Sequence, residues 1–212
     1  MSSVPGNEWT RWSAGLRATS RAAFDWWQRI AAGRPATASM FAWAFAEATA
    51  WPVIPDFLLV LLVAGNRRRF HQPLAAAILG SALGGAAILL FAYWAPDHAR
   101  NYLTGLPLVH EPDIAHVARE LEERGVRALF LQPWSGIAFK IWGVTAGAQG
   151  LSPWLVIPSF IVARALRMTV LALLVRGLVG RFAAFFRDRS LLLFGLYVVV
   201  FCYWWWRTQV LT

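Results

Sequence analysis

Residues 39–65 read SMFAWAFAEATAWPVIPDFLLVLLVAG, and the interruption in the middle of this apolar stretch decides the fold. A helix of this length, rising about 1.5 Å per residue, would cross a hydrocarbon layer of roughly 30 Å. Yet Pro52 and Pro55 remove two backbone donors and disfavour helical geometry at residues 51 and 54, while Glu47 and Asp56 sit at apolar depth. The apolar arms, about a dozen residues before the break and about nine after it, are each too short to cross alone. A re-entrant helical hairpin, entering and leaving on one side, fits these lengths. A single, sharply kinked span is the alternative.

Working outward, residues 74–94 and 190–206 are apolar runs without a charged side chain. The whole chain is 58% hydrophobic with a mean hydropathy of +0.49, above the roughly 45–50% of soluble domains, which argues against a soluble globular fold. The net charge of +9 does not point to nucleic acid. The arginines cluster beside the apolar runs, where anionic headgroups and the positive-inside rule favour them. Cys202 stands alone, and His71, His98, His110 and His116 show no zinc-ligand spacing, so no metal site or cofactor is expected. Nucleophile-elbow, zincin, phosphate-loop and dinucleotide motifs are absent, so no catalytic residue is assigned and no enzyme is expected.

Residues 128–150, ALFLQPWSGIAFKIWGVTAGAQG, repeat the interruption with opposite charge. Pro133 and Gly136 mark the break, Lys140 lies in the centre, and glycines follow at 143, 147 and 150. Residues 152–175 then supply a crossing despite Pro153 and Pro158.

Charge selects the topology, because short basic loops stay cytoplasmic. Residues 1–36, the link at 67–69 and residues 176–189 each carry net +3, whereas residues 95–127 carry net −2. With both broken regions re-entrant, every basic segment falls inside and the acidic loop outside. The expected fold is an all-α integral membrane protein. Two oppositely inserted re-entrant helical hairpins (39–65 and 128–150) are each followed by a transmembrane helix (71–94 and 152–175) within a core spanning 37–189. A C-terminal transmembrane helix occupies 190–212. Residues 1–36 lack the apolar core of a secretory signal, and Trp12, Leu16, Ala23, Trp27 and Ile30 recur at helical spacing, which predicts an amphipathic interfacial helix. In the outer loop, residues 112–124 form a further helix, with Ile114, Val117 and Leu121 on one face as a surface cover. The expected location is a bacterial inner membrane, multi-pass, N-terminus cytoplasmic and C-terminus outside.

Glu47, Asp56, Lys140, Arg164 and Arg167 are the charges at apolar depth. An unpaired central charge costs roughly 2.5–3.5 kcal/mol on insertion scales, so the acids of the first hairpin are expected to meet the cations of the second hairpin and its span in a shared polar cavity. Glu47 and Asp56 together would raise one another's pKa, making a shared or exchanged proton reasonable. Arg164 and Arg167, three apart on one helix face, suit a phosphate or carboxylate. Structural roles stand beside these: Asp56 as a helix cap, the arginines as neutralising or snorkelling groups, and Gly80, Ser81, Gly84 and Gly85 as a packing surface.

The segments FAEATAWPVIPD, GSALGG, FKIWGVTAG and ARALR, in this order from about residue 41 to 181, resemble the DedA family, also called the VTT or SNARE-associated-domain family, and most of all its YqaA-like branch. The match differs where Gly136, Ile137, Ala138 and Phe139 stand in place of the branch's P-x-P-Y, and where Ala163 replaces the glycine before the first arginine. The resemblance implies Glu47 and Asp56 at the acidic positions, Lys140 at the basic one, and Arg164 and Arg167 as the arginine pair. It also implies movement of lipids such as undecaprenyl phosphate or a phospholipid across a membrane, proton-coupled in some members. The expected function is therefore a transporter or flippase whose partners are membrane lipids with anionic headgroups, and protons. A non-transporting membrane scaffold and a small-ion or drug/proton antiporter are the alternatives; substrate, direction and oligomeric state are not legible in the sequence.

Overall fold

The computed structural model describes residues 6–210, with side chains placed from 13 to 206; Trp12 of the predicted amphipathic stripe lies outside the placed side chains. The described residues are helical, with no strand among them. In chain order the α-helices are α1 (Gly6–Ala31), α2 (Arg34–Thr49), α3 (Asp56–Gly65), α4 (His71–Trp94), α5 (Pro96–Thr104), α6 (Glu111–Arg124), α7 (Gln132–Ser135), α8 (Phe139–Ala148), α9 (Pro153–Arg181), α10 (Ala183–Asp188) and α11 (Ser190–Val210). Two 3-10 turns, Arg67–Arg69 and Gly125–Phe130, complete the set.

Helices α4 and α9 are long and apolar enough to cross a membrane. At about 1.5 Å per residue they extend roughly 36 and 44 Å. The uncharged part of α11, Ser190–Trp206, is shorter than these. Pro158 lies inside α9 without ending it, and the helix runs to Arg181, past the expected limit at 175.

Helix α4 is the central post. On one side α2 packs along it, with Ala44 and Ala48, both fully buried, against Gly80 and Gly84. A methyl group at Gly84 would fall 2.7 Å from the Phe45 carbonyl and 2.8 Å from the Ala48 Cβ, so the two backbones touch where no side chain intervenes. Farther along α4, Gly143 of α8 rests on Ile88, and Gly147 rests on Ala92. Helix α8 is buried from Phe139 to Gly147, enclosed by α4, α5 and α6.

The stretch at 95–127 is therefore more than an outer loop with one covering helix. Helix α5 was not expected. It buries Ala99 and Leu103, and α6 buries Val117 and Leu121, all in the cluster that includes Trp142 and Phe160. Gln149 donates to the Ala118 carbonyl at 3.0 Å and fixes α6 over the end of α8. At the other end α1 lies against α3, α10 and α11. Trp27 meets Phe194 edge-on at 6.1 Å, whereas Leu16 and Ile30, predicted on the same stripe, are half exposed.

Candidate functional site: paired charges at two helix breaks

The first break occupies residues 50–55, between α2 and α3. Thr49 turns its hydroxyl back to the Ala46 carbonyl at 3.1 Å, and the Ala50 and Trp51 amides both donate to that same carbonyl. Pro52 then has no amide to continue the ladder, and α2 ends. Pro55 stands immediately before Asp56, the first residue of α3, where a carboxylate faces the positive end of the helix dipole. Trp43 donates from its indole to the Val53 carbonyl at 3.0 Å, holding the break against α2.

The second break falls at residues 136–138, between α7 and α8. Here the structure corrects the reading of Pro133. It lies in the first turn of α7, where its missing amide is harmless, and Gly136, with φ of 73°, makes the turn. Glycines 143 and 147 belong to the α8 packing surface and interrupt nothing.

Every predicted charge is drawn to these breaks. Arg164 donates to the Glu47 carboxylate, and Arg167 donates to the Asp56 carboxylate. Glu47, Lys140 and Arg164 are 5%, 2% and 2% exposed; Asp56 and Arg167 are partly buried. Arg167 also reaches the Pro133 carbonyl at 3.4 Å, so one guanidinium touches the start of α3 and the segment before the second break. The Arg164 guanidinium lies over the Phe139 ring at 4.2 Å, and that ring meets Phe160 edge-on at 4.6 Å.

Two expectations change in detail. Each acid has its own arginine, so Glu47 and Asp56 are not arranged as a carboxylate pair sharing a proton. Lys140 makes its hydrogen bonds to the carbonyls of Ala50 and Trp51, at 3.1 Å each, and Glu47 adds Coulomb attraction. It thus neutralises the negative end of α2 across the gap between the two broken elements. The charges are packed into direct pairs, and Asp56 borders a cavity of about 300 Å³ whose other walls include Phe57, Leu171 and Tyr197.

The cluster is not saturated. Asp56 Oδ1 and Arg164 Nε are buried with no hydrogen-bond partner among the described residues, and so is Oε1 of Gln132. Gln132, Phe139 and Trp43 were not assigned to the site from sequence. Gln132 had a signal, being an amide inside an otherwise apolar run; a phenylalanine or tryptophan in such a run has none.

Comparison of the chain with family models, curated proteins and solved structures gives no match.

Proposed function

We propose that this chain is a membrane transporter or flippase for an anionic phospholipid or prenyl phosphate. The observation that carries the reading is the double ion pair. Two buried or half-buried guanidinium–carboxylate pairs join one interrupted element to the long helix that follows the other. Buried pairs of this kind contribute little net stability compared with apolar packing, so five ionic residues at two helix breaks favour a working site over a structural one. Arg164 and Arg167 grip the phosphate, and Glu47 and Asp56 are the partners that the phosphate displaces. Protons taken up by the released carboxylates couple the cycle to a pH gradient.

The topology belonging to this proposal is the double re-entrant one. The elements α2–α3 and α7–α8 enter from opposite faces, α4, α9 and α11 cross, and the N-terminus and the Arg67–Arg69 turn lie in the cytoplasm of a bacterial cell. The C-terminus lies outside. The charge distribution of the connecting segments supports it, as does the inverted arrangement of broken helices used by secondary transporters. Membership of the DedA family is part of the same proposal and rests on the motif order given above.

The test is headgroup translocation in proteoliposomes. Arg167→Ala abolishes translocation, and Glu47→Gln leaves it running but uncoupled from an imposed pH gradient. Unchanged transport in both variants rejects the proposal. Because each carboxylate already has an arginine partner, a static scaffold is the second reading. On that reading Glu47→Leu combined with Arg164→Leu retains full activity in cells, whereas transport requires its loss.

A further inference from the structure

A separate cluster of arginines lies away from the ion pairs, where the Arg67–Arg69 turn meets the final turns of α9. The turn is fixed locally: the Asn66 side chain accepts from the Arg69 amide at 3.2 Å. Arg67 lies across Gly180, and a β-carbon there would stand 2.6 Å from its Nη1. A larger side chain at 180 would push the Arg67 guanidinium aside. Arg176 is held differently, with its guanidinium 4.8 Å from the centre of the Phe70 ring. Arg67, Arg68 and Arg176, together with Leu173, Gly177 and Gly180, wall a cavity of about 380 Å³.

No carboxylate borders this cavity, and none of its three arginines takes part in a salt bridge among the described residues. Three like charges within one cavity repel, and a bound anion removes that repulsion. Guanidinium forks match the oxygen geometry of phosphate; the Phe70 ring holds that of Arg176, and Gly180 leaves room for that of Arg67. The apolar wall at Leu173, half exposed on an apolar helix, continues the site toward an aliphatic chain.

We infer that Arg67, Arg68 and Arg176 form a second anion site, which binds the phosphate of an anionic lipid headgroup at the end of α9. The phosphate chemistry stands on the arginine geometry alone, whereas the lipid source rests on the membrane reading above. The site is distinct from the Arg164 and Arg167 pairs, whose guanidiniums are already engaged by carboxylates.

The test is native mass spectrometry of the full chain in a non-ionic detergent, titrated separately with phosphatidic acid, phosphatidylcholine and inorganic phosphate. Wild type is expected to retain one phosphatidic acid saturably and to hold phosphatidylcholine at least tenfold more weakly. Arg67→Gln with Arg176→Gln weakens phosphatidic acid binding at least tenfold. Gly180→Leu, which keeps the net charge but displaces the Arg67 guanidinium, weakens it as well, whereas a surface-charge effect alone would leave that variant unchanged. Saturable inorganic phosphate that is lost in the same variants upholds the anion site with a soluble source. Equal phosphatidic acid binding in wild type and both variants, or no saturable binding of either phosphate, overturns the inference. Translocation by Arg67→Gln/Arg176→Gln separates the two proposals: a variant that loses the adduct and still translocates leaves the core reading standing.

Discussion

Arg164 holds its guanidinium 4.2 Å from the centre of the Phe139 ring while donating to Glu47, so the same buried cation binds an aromatic face from one broken element and a carboxylate from the other. Removing one member of a buried pair strands the other charge, at about 3–5 kcal/mol, whereas replacing both by apolar groups is far less damaging. Glu47→Leu and Arg164→Leu should therefore each destabilise the fold by that order, and the double variant by much less than the sum. Unfolding free energies in a fixed detergent provide the measure. Additive losses would show that the two side chains are not coupled.

The hydrogen bonds of Lys140 give a second prediction. With its ammonium gone, the Ala50 and Trp51 carbonyls lose their donor inside the protein, a loss of about 1–3 kcal/mol. Lys140→Met should loosen the first break while leaving α4 intact. Hydrogen–deuterium exchange at Ala50, Trp51 and Leu59, the hydrogen-bonded amides flanking the break, should accelerate well before that at residues 80–90. Protection at the break equal to wild type would mean that Trp43 and the Asp56–Arg167 pair hold it without the lysine.

The charged pairs were legible because charge in an apolar run has few places to go. Glu47, Asp56, Arg164 and Arg167 each had to find a partner, and for the acids of the first broken segment only Lys140 of the second and the two arginines of the span after it were available at that depth. Pro52 and Pro55 were legible because the missing amide is a property of the residue itself. The Lys140 partners were hidden, since an unpaired carbonyl at a helix end carries no side-chain signature. Helix α5 was hidden for another reason: PDHARNYLT is short and polar, and its buried face consists of Ala99 and Leu103. The close packing of Gly143 and Gly147 was hidden too, because it depends on Ile88 and Ala92, far away in sequence.

Close approach of α2 to α4 gives the third prediction. At Gly84 a β-carbon meets backbone carbonyl, which cannot rotate aside, so Gly84→Val forces the helices apart and destabilises by about 1–3 kcal/mol. Gly195 in α11 has nothing within 4 Å of its notional β-carbon. Gly195→Ala should be neutral or stabilising by up to about 1 kcal/mol, as expected for glycine replaced in an exposed helix. Thermal midpoints of the two variants, measured side by side, check the pair, and similar losses at both positions would discount the close packing.

The last prediction concerns acid. Arg21 of α1 donates to Asp188 of α10 at 2.7 Å, and nearby Ser190 donates to the Ser20 carbonyl at 2.6 Å. The hydrogen bond from Arg21 holds the Asp188 carboxyl below its ordinary value, with further help from the positive charge of Arg21, Arg17 and Arg187. A carboxyl lowered in this way contributes fully above its unperturbed value, about pH 4, and the contribution disappears as the pH falls through the lowered one. Arg21 stays charged throughout that window. Contact between α1 and α10 should thus be constant from neutral pH down to about pH 4 and loosen only in stronger acid. Because the pair is solvent-exposed, high salt should weaken it at neutral pH too. Spin labels at Ala18 and Ala184, on a Cys202→Ser background, report the separation directly. Asp188→Asn should show a loosened distance distribution at neutral pH, while the Ser190 hydrogen bond and a second pair across the same contact, Arg187 with Asp25 at 3.6 Å, keep α1 from leaving altogether. A distribution that already broadens between neutrality and pH 5, or an Asp188→Asn/Asp25→Asn variant that still changes below pH 4, would assign the acid response to a carboxylate outside this contact.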